Sequence, residues 1–322
     1  MYIDFRGSSI ETPLGCLTGA GEAEYHPNGM LKSVRLLELN TVNTPSGSLV
    51  PAYNWGEVRR KHSPSITFFP DGAIKSLRLE HRTLVDGPWP MAVERLAWYP
   101  QGEVRLLFPL DGRLSAYWTK KEEMSLADPL DVALPNGSVL NKKHLISIGF
   151  YQNGTLKSLA LWPGETAEVA TPLGTISARL GLDFYSSGAL RSLEPAKPSS
   201  LKTALGTFKA YDPTAIGLNG ENGSLVFTPD GTLLRLKTLD EFIWENAGNL
   251  GQTVAFKPLV LPHPLNENAV ERYPNKLEFG HNGVWIGLDL PGKKDQFFEL
   301  PGGPVKIGSQ VVGLVRGIVL SR

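Results

Sequence analysis

The residues able to do chemistry are few and scattered. Six histidines (His26, His62, His81, His144, His263 and His281) are spread so that no two lie within five residues of each other. Neither an HExxH helix motif nor a His-x-His pair occurs, so no local metal site is encoded. Cys16 is the single cysteine, which excludes an intramolecular disulfide and a thiolate zinc cluster. It follows a tight turn without a local base and is expected to be a buried or half-buried strand residue. No G-x-S-x-G elbow occurs, Gly19-Ala20-Gly21 lacks the third glycine of a dinucleotide loop, and Pro301-Gly302-Gly303-Pro304 lacks the Gly-Lys-Ser/Thr ending of a phosphate loop. One acidic pair remains. Glu24 and Asp183 each precede a turn aromatic and could flank a glycosidic bond from neighbouring strands. Other hairpins carry Thr67, Ala97 and Gly149 near that place, so the position reads first as structural.

A row of cations says more. Lys32, Lys75, Lys157 and Arg191 each stand three residues beyond a turn glycine and are followed by serine. Stacked hairpins would align them as a basic ladder able to hold an anionic partner. On a strand face the same residues also maintain solubility and discourage edge pairing. These four are the candidate partner-binding residues; no catalytic, cofactor-binding or metal residue is assigned, and no cofactor is expected. Trp55, Trp89, Trp98, Trp118 and Trp162 could form a sugar-stacking platform, although buried sheet aromatics are the simpler reading.

The elements that must position these residues are hairpins. FFPDGAIKSLRLE (68–80) has near-copies in YHPNGMLKSVRLLE (25–38), FYQNGTLKSLALW (150–162), FYSSGALRSLEP (184–195) and FTPDGTLLRLK (227–237). Pro70 presets φ for the second position of a type I turn, Asp71 suits the third, and Gly72 takes the left-handed conformation that closes a three-residue hairpin with a bulge. A second turn type, x-Pro-x-Gly, appears at Thr12–Gly15, Thr44–Gly47 and Thr171–Gly174, with Thr203-Ala204-Leu205-Gly206 a degenerate copy. The Asn-Gly-Ser/Thr triplets at 136, 153 and 222 match a glycosylation sequon, but Asn-Gly is more simply turn chemistry. The glycines at 15, 29, 47 and 72 recur at 174, 188, 206 and 231, each shifted by 159, which signals an internal duplication.

The aromatic-x-x-Gly-x-Leu element resembles the MORN-type repeat and its bacterial variants. The likeness is carried by Tyr25–Leu31, Phe69–Ile74, Tyr99–Val104, Phe150–Leu156, Phe184–Leu190 and Phe227–Leu233. The chain departs from that family in lacking the tyrosine-glycine-tryptophan part and a short fixed period. The resemblance implies an elongated antiparallel sheet that serves as a scaffold for protein or lipid contacts.

Bulk composition agrees. Lys+Arg and Asp+Glu are 32 each, so no global field draws in nucleic acid, although contact with an anionic surface through a local patch stays open. Thirty-four glycines and 25 prolines suit short strands and tight turns. The N-terminus does not read as a signal peptide, and no window approaches a membrane span, so a cytoplasmic location is expected. The expected fold is all-β, with successive antiparallel hairpins in an extended or twisted repeat sheet, internally duplicated. Residues 1–165 hold the first copy plus extra units, 166–240 the second copy, and 241–322 a divergent C-terminal lobe or cap. A short helix is an even alternative over LDEFIWENAGNL, 239–250. The expected function is a non-catalytic scaffold that binds a protein or other large partner. An enzyme or carbohydrate-binding protein with a site between the duplicated halves is the alternative.

Overall fold

The computed structural model describes residues 2–54, 63–87, 89–111, 119–203, 205–216, 223–245, 253–280, 283–288, 296–299, 303–307 and 310–315. Trp55, Trp118 and Asn222 of the third sequon lie outside the described residues. The chain divides into two compact units, Met1–Pro163 and Gly164–Arg322.

The first unit begins with β1 (Tyr2–Thr12), β2 (Gly15–Tyr25), β3 (Leu31–Leu36), β4 (Val42–Thr44), β5 (Gly47–Leu49), β6 (Ile66–Phe68) and β7 (Ile74–Val85). It continues with β8 (Met91–Trp98), β9 (Val104–Phe108), a short helix α1 (Lys120–Met124), β10 (Leu130–Ala133), β11 (Val139–Lys143), β12 (Leu145–Phe150) and β13 (Leu156–Leu161). Each strand pairs antiparallel with the next in the order β1, β2, β3, β6, β7, β8, β9, β12, β13. The hairpins β4–β5 and β10–β11 are separate excursions from this sheet.

The second unit opens with β14 (Ala167–Thr171), β15 (Gly174–Phe184), β16 (Leu190–Pro195), β17 (Ser199–Thr203), β18 (Gly206–Ala210), β19 (Leu225–Phe227) and β20 (Leu233–Thr238). There follow β21 (Phe242–Glu245), β22 (Thr253–Phe256), β23 (Leu259–His263), β24 (Asn266–Tyr273) and β25 (Asn275–Gly280). The last strands are β26 (Gly283–Leu288), β27 (Gln296–Glu299), β28 (Gly303–Ile307) and β29 (Gln310–Val315). The main sheet runs β14, β15, β16, β19, β20, β25, β26, β27, all antiparallel. A smaller sheet runs β22, β21, β28, β29. Strands β15, β16 and β19 are as long as β2, β3 and β6 and start 159 residues after them.

Turn chemistry explains why these segments fold as hairpins. At the Pro-Asp-Gly turn, Gly72 has φ +88°, its amide donates to the Phe69 carbonyl at 2.9 Å, and the Phe69 amide donates to the Ala73 carbonyl at 2.8 Å. That is a type I turn closed by a left-handed residue, a conformation that costs a residue with a Cβ about 1–2 kcal/mol. The x-Pro-x-Gly turns close differently. Thr12, Thr44, Thr171 and Thr203 each accept the amide two residues on and donate to the glycine carbonyl three residues on. Threonine, rather than proline, therefore carries this turn, and Thr203 keeps both bonds where the proline is lost.

A bulge follows each three-residue turn. Phe68 faces Ile74 but Thr67 faces Ser76, so Lys75 is the inserted residue. The same shift inserts Lys32, Arg105, Lys157, Arg191 and Leu234 in their hairpins. The bulge resets the alternation, so Ile74 and Leu77 are both buried although they stand three positions apart. Strict alternation fails over 74–79 for this reason.

Two expectations are corrected. Phe242–Glu245 is a strand, not part of a helix: Phe242 is buried, packs edge-on against Phe208 with ring centroids 5.5 Å apart, and stacks on Phe256 at 5.0 Å. Cross-sheet aromatic packing outweighs the weak helical spacing, while 246–250 lie outside the described residues. Cys16 is exposed, because it stands beside the turn at the start of β2 where the strand projects past its core.

Candidate functional site

The cations expected to bind a partner share one local geometry. The bulge that inserts each of them also re-aims it toward the turn. Lys75 Nζ lies 5.6 Å from the centre of the Phe69 ring, Lys157 Nζ 5.7 Å from Tyr151, and the Arg191 guanidinium 5.7 Å from Tyr185. In each case the ring stands three residues before the glycine and the cation three after it, giving a cation–π contact across the turn, worth about 0.5–1 kcal/mol when exposed.

The row then divides in two. Lys32 pairs with Glu24 at 3.0 Å, and Arg191 pairs with Asp183 at 3.1 Å. The suspected carboxylates are thus the acidic partners of cations on their own hairpins. Asp183 is fully buried, so the Arg191 charge serves that site. In the hairpins of Lys75 and Lys157 the place of Glu24 and Asp183 is taken by Thr67 and Gly149.

Hairpins also join in pairs. The Tyr99 hydroxyl donates to the Phe150 carbonyl at 3.0 Å, and the Tyr185 hydroxyl to the Phe227 carbonyl at 2.8 Å. His26 Nε2 lies 3.1 Å from the Phe68 carbonyl, filling the same role with a shorter ring. Three pairs result, β2–β3 with β6–β7, β8–β9 with β12–β13, and β15–β16 with β19–β20. Their registers agree: Ser33 faces Thr67, Leu106 faces Gly149, and Ser192 faces Val226. The middle pair escapes the spacing of 159, since its two glycines, 102 and 154, are 52 apart where the other pairs keep 43. Side chains at the turn tips reinforce the pairing, with Asn28 Nδ2 donating to the Pro70 carbonyl at 2.8 Å.

Two further clusters are buried, and spacing did not reveal them. In the second unit Glu194 Oε1 accepts the Asp212 amide at 2.9 Å, and Oε2 accepts the Ser224 amide and hydroxyl at 2.8 and 2.6 Å. Burial raises the Glu194 carboxyl from 4.5 to about 7 against the lowering effect of these donors. Lys237 Nζ sits 2.9 Å from Asp212 Oδ2, and the Arg179 guanidinium lies over the Tyr211 ring at 5.0 Å. In the first unit Glu94 Oε2 accepts the Asp111 amide at 2.8 Å, while Arg78 and Arg95 lie 3.1 and 3.9 Å from the Asp111 carboxylate. The acids of both clusters receive donors from several elements, which suits them to fixing loops against the sheet.

No family model, curated protein or solved structure matches the chain. Among the described residues no three His, Cys, Asp or Glu side chains gather in a way that could hold a metal ion, and no helix is long and apolar enough to cross a membrane. Two open clefts measure about 190 and 140 Å³, one lined by Phe242, Ile243 and Phe256, the other by Pro13, Tyr25, Met30 and Phe68. Both are below the roughly 300–1,000 Å³ of typical small-molecule pockets. Among the tryptophans, Trp98 is fully buried with its indole N–H donating to the Ser46 hydroxyl at 3.0 Å, and Trp162 is buried. Trp89 meets the edge of Phe150 at 5.6 Å. Trp98 and Trp162 thus pack the protein interior, and Trp89 is half-buried.

Proposed function

We propose that the chain is a non-catalytic scaffold of paired β-hairpins that binds a protein or other large partner through its turn-side cations. The observation that carries this reading is the recurrent bulge, which inserts a cation at the same point of these four hairpins and sets it over a ring in three of them. The bulge sets each of these cations beside its turn and so presents charge in a regular way. The likeness to MORN-type repeats supports the same reading, since those sheets serve as scaffolds. Within the row, Lys32 and Arg191 also pair with carboxylates of their own hairpins.

The experiment is capture of a partner from the native host, with the wild-type chain set beside Lys75→Glu/Lys157→Glu. Reversing Arg191 as well would set a glutamate against buried Asp183 and confuse binding with folding. Loss of the captured partner with unchanged circular dichroism is expected. Equal capture by both proteins rejects the role given to these lysines.

A further inference from the structure

The buried ion pair of the second unit is arranged for a reaction that its counterpart in the first unit cannot undergo. Lys237 Nζ stands 2.9 Å from Asp212 Oδ2, and the two side chains are only 8% and 3% exposed. Asp212 Oδ1 is held separately, accepting the Thr214 amide at 2.9 Å and the Thr214 hydroxyl at 2.7 Å. The carboxyl carbon of Asp212 therefore has an amine beside one oxygen and two donors on the other. Acyl transfer to an amine needs this arrangement: a nucleophile within reach and donors aimed at the oxygen where negative charge develops.

We propose that Lys237 and Asp212 join in an intramolecular amide bond between the side chains. One proton passes from the ammonium to Oδ2 along their hydrogen bond, leaving an amine and a carboxylic acid. The amine lone pair then attacks Cγ, and the charge that develops on Oδ1 is stabilised by Thr214. The Cγ–Oδ2 bond breaks, Oδ2 departs as water with a second ammonium proton, and the third proton stays on the amide nitrogen. Ammonium and carboxylate become amide and water, so no oxidant, reductant or co-reactant is needed.

Two physical terms favour the product. Two charges taken out of water cost several kcal/mol each, and the neutral amide removes both. Groups fixed in contact react with effective molarities of about 10⁵–10⁸ M, where free lysine and aspartate would not react in water. The low polarity of the site shows independently in Glu194, which accepts the Asp212 amide and whose carboxyl is raised by burial to about 7. Exclusion of water also protects the bond from hydrolysis. In the first unit the residue 159 positions earlier is Arg78, 3.1 Å from Asp111. A guanidinium stays protonated and cannot act as the nucleophile, so that site remains an ion pair.

The test is the intact mass of the denatured full chain, followed by proteolysis and tandem mass spectrometry. The wild-type chain is expected to be lighter than its sequence by one water, with a branched peptide linking the segments that contain Lys237 and Asp212. Lys237→Arg, which keeps the charge, should have its full sequence mass. Asp212→Ala should also have full mass, which preserves the test if the arginine variant does not fold. Full mass in the wild-type chain after prolonged incubation, or loss of water that persists in both variants, overturns the proposal.

Discussion

Arg78 and Lys237 occupy the same place, six residues past their turn glycines, and each meets a buried aspartate whose amide is held by a buried glutamate. Their surroundings differ. Asp111 has a second guanidinium, that of Arg95, at 3.9 Å, and the arginine side chains retain 13% and 32% exposure. Asp212 meets a lysine that is 8% exposed, and threonine donors complete its shell. An arginine fork spreads charge over several bonds and tolerates contact with water, whereas a lysine ammonium is a point charge that demands one close partner. One strand position thus supports a shared, solvated network in one unit and a dry pair in the other.

Removing the cations should expose this difference most strongly. Lys237→Ala leaves the buried Asp212 carboxylate without its lysine and is expected to destabilise the second unit by about 3–5 kcal/mol in denaturant unfolding. Arg78→Ala should cost less, because Arg95 remains near Asp111. Equal losses would erase the distinction.

Acidity sharpens it further. The Glu194 carboxyl is raised from 4.5 to about 7, so the folded state binds its proton more tightly than the unfolded chain does. Its contribution is fully present below pH 4.5 and is lost as pH rises through 7, a difference of about 3 kcal/mol. Stability measured from pH 5 to 8 should fall less in Glu194→Gln than in the wild-type chain. An unchanged slope would show that Glu194 is not desolvated as described.

Smaller effects test the hairpins. A Cβ on Gly72, where φ is +88°, would meet Met30 Cε at 2.9 Å and Pro13 Cγ at 3.2 Å, while one on Gly29, at φ +83°, meets nothing within 4 Å. Gly29→Ala is expected to cost the conformational penalty of about 1–2 kcal/mol, and Gly72→Ala measurably more in the same thermal melts. Tyr99→Phe and Tyr185→Phe each remove one hydrogen bond between paired hairpins and should cost about 0.5–1.5 kcal/mol. A cost for one tyrosine only would break the equivalence of the pairs.

Local chemistry was legible and distant chemistry was not. Turn glycines, the strands around them and the all-β class follow from residue types a few positions apart, and turns depend on such neighbours. The bulge was harder to foresee, because inserting Lys75 mixes the polar and apolar faces that alternation is meant to separate. Helix α1 had a readable signal in Thr119-Lys120-Lys121-Glu122, a capping box in which the Glu122 amide donates to Thr119 Oγ1 at 3.2 Å. Two hydrogen bonds from Thr119 to the Glu122 carboxylate complete it and hold that group below its ordinary value. The third hairpin pair was hidden by its longer connection. Glu194, Asp212, Ser224 and Lys237 converge from β16, β20 and the loops between them, and no spacing rule encodes that meeting.

The central claim is that buried charge serves the fold while the turn-side lysines serve binding. It is tested most directly by the association rate of the captured partner with the wild-type chain, with Lys75→Glu/Lys157→Glu and with Lys237→Arg, measured across a range of salt concentrations. The account predicts that the wild-type rate falls steeply as salt rises, that Lys237→Arg behaves like wild type, and that the double reversal binds slowly with little dependence on salt. A double reversal that associates as fast as wild type at every salt concentration would contradict it.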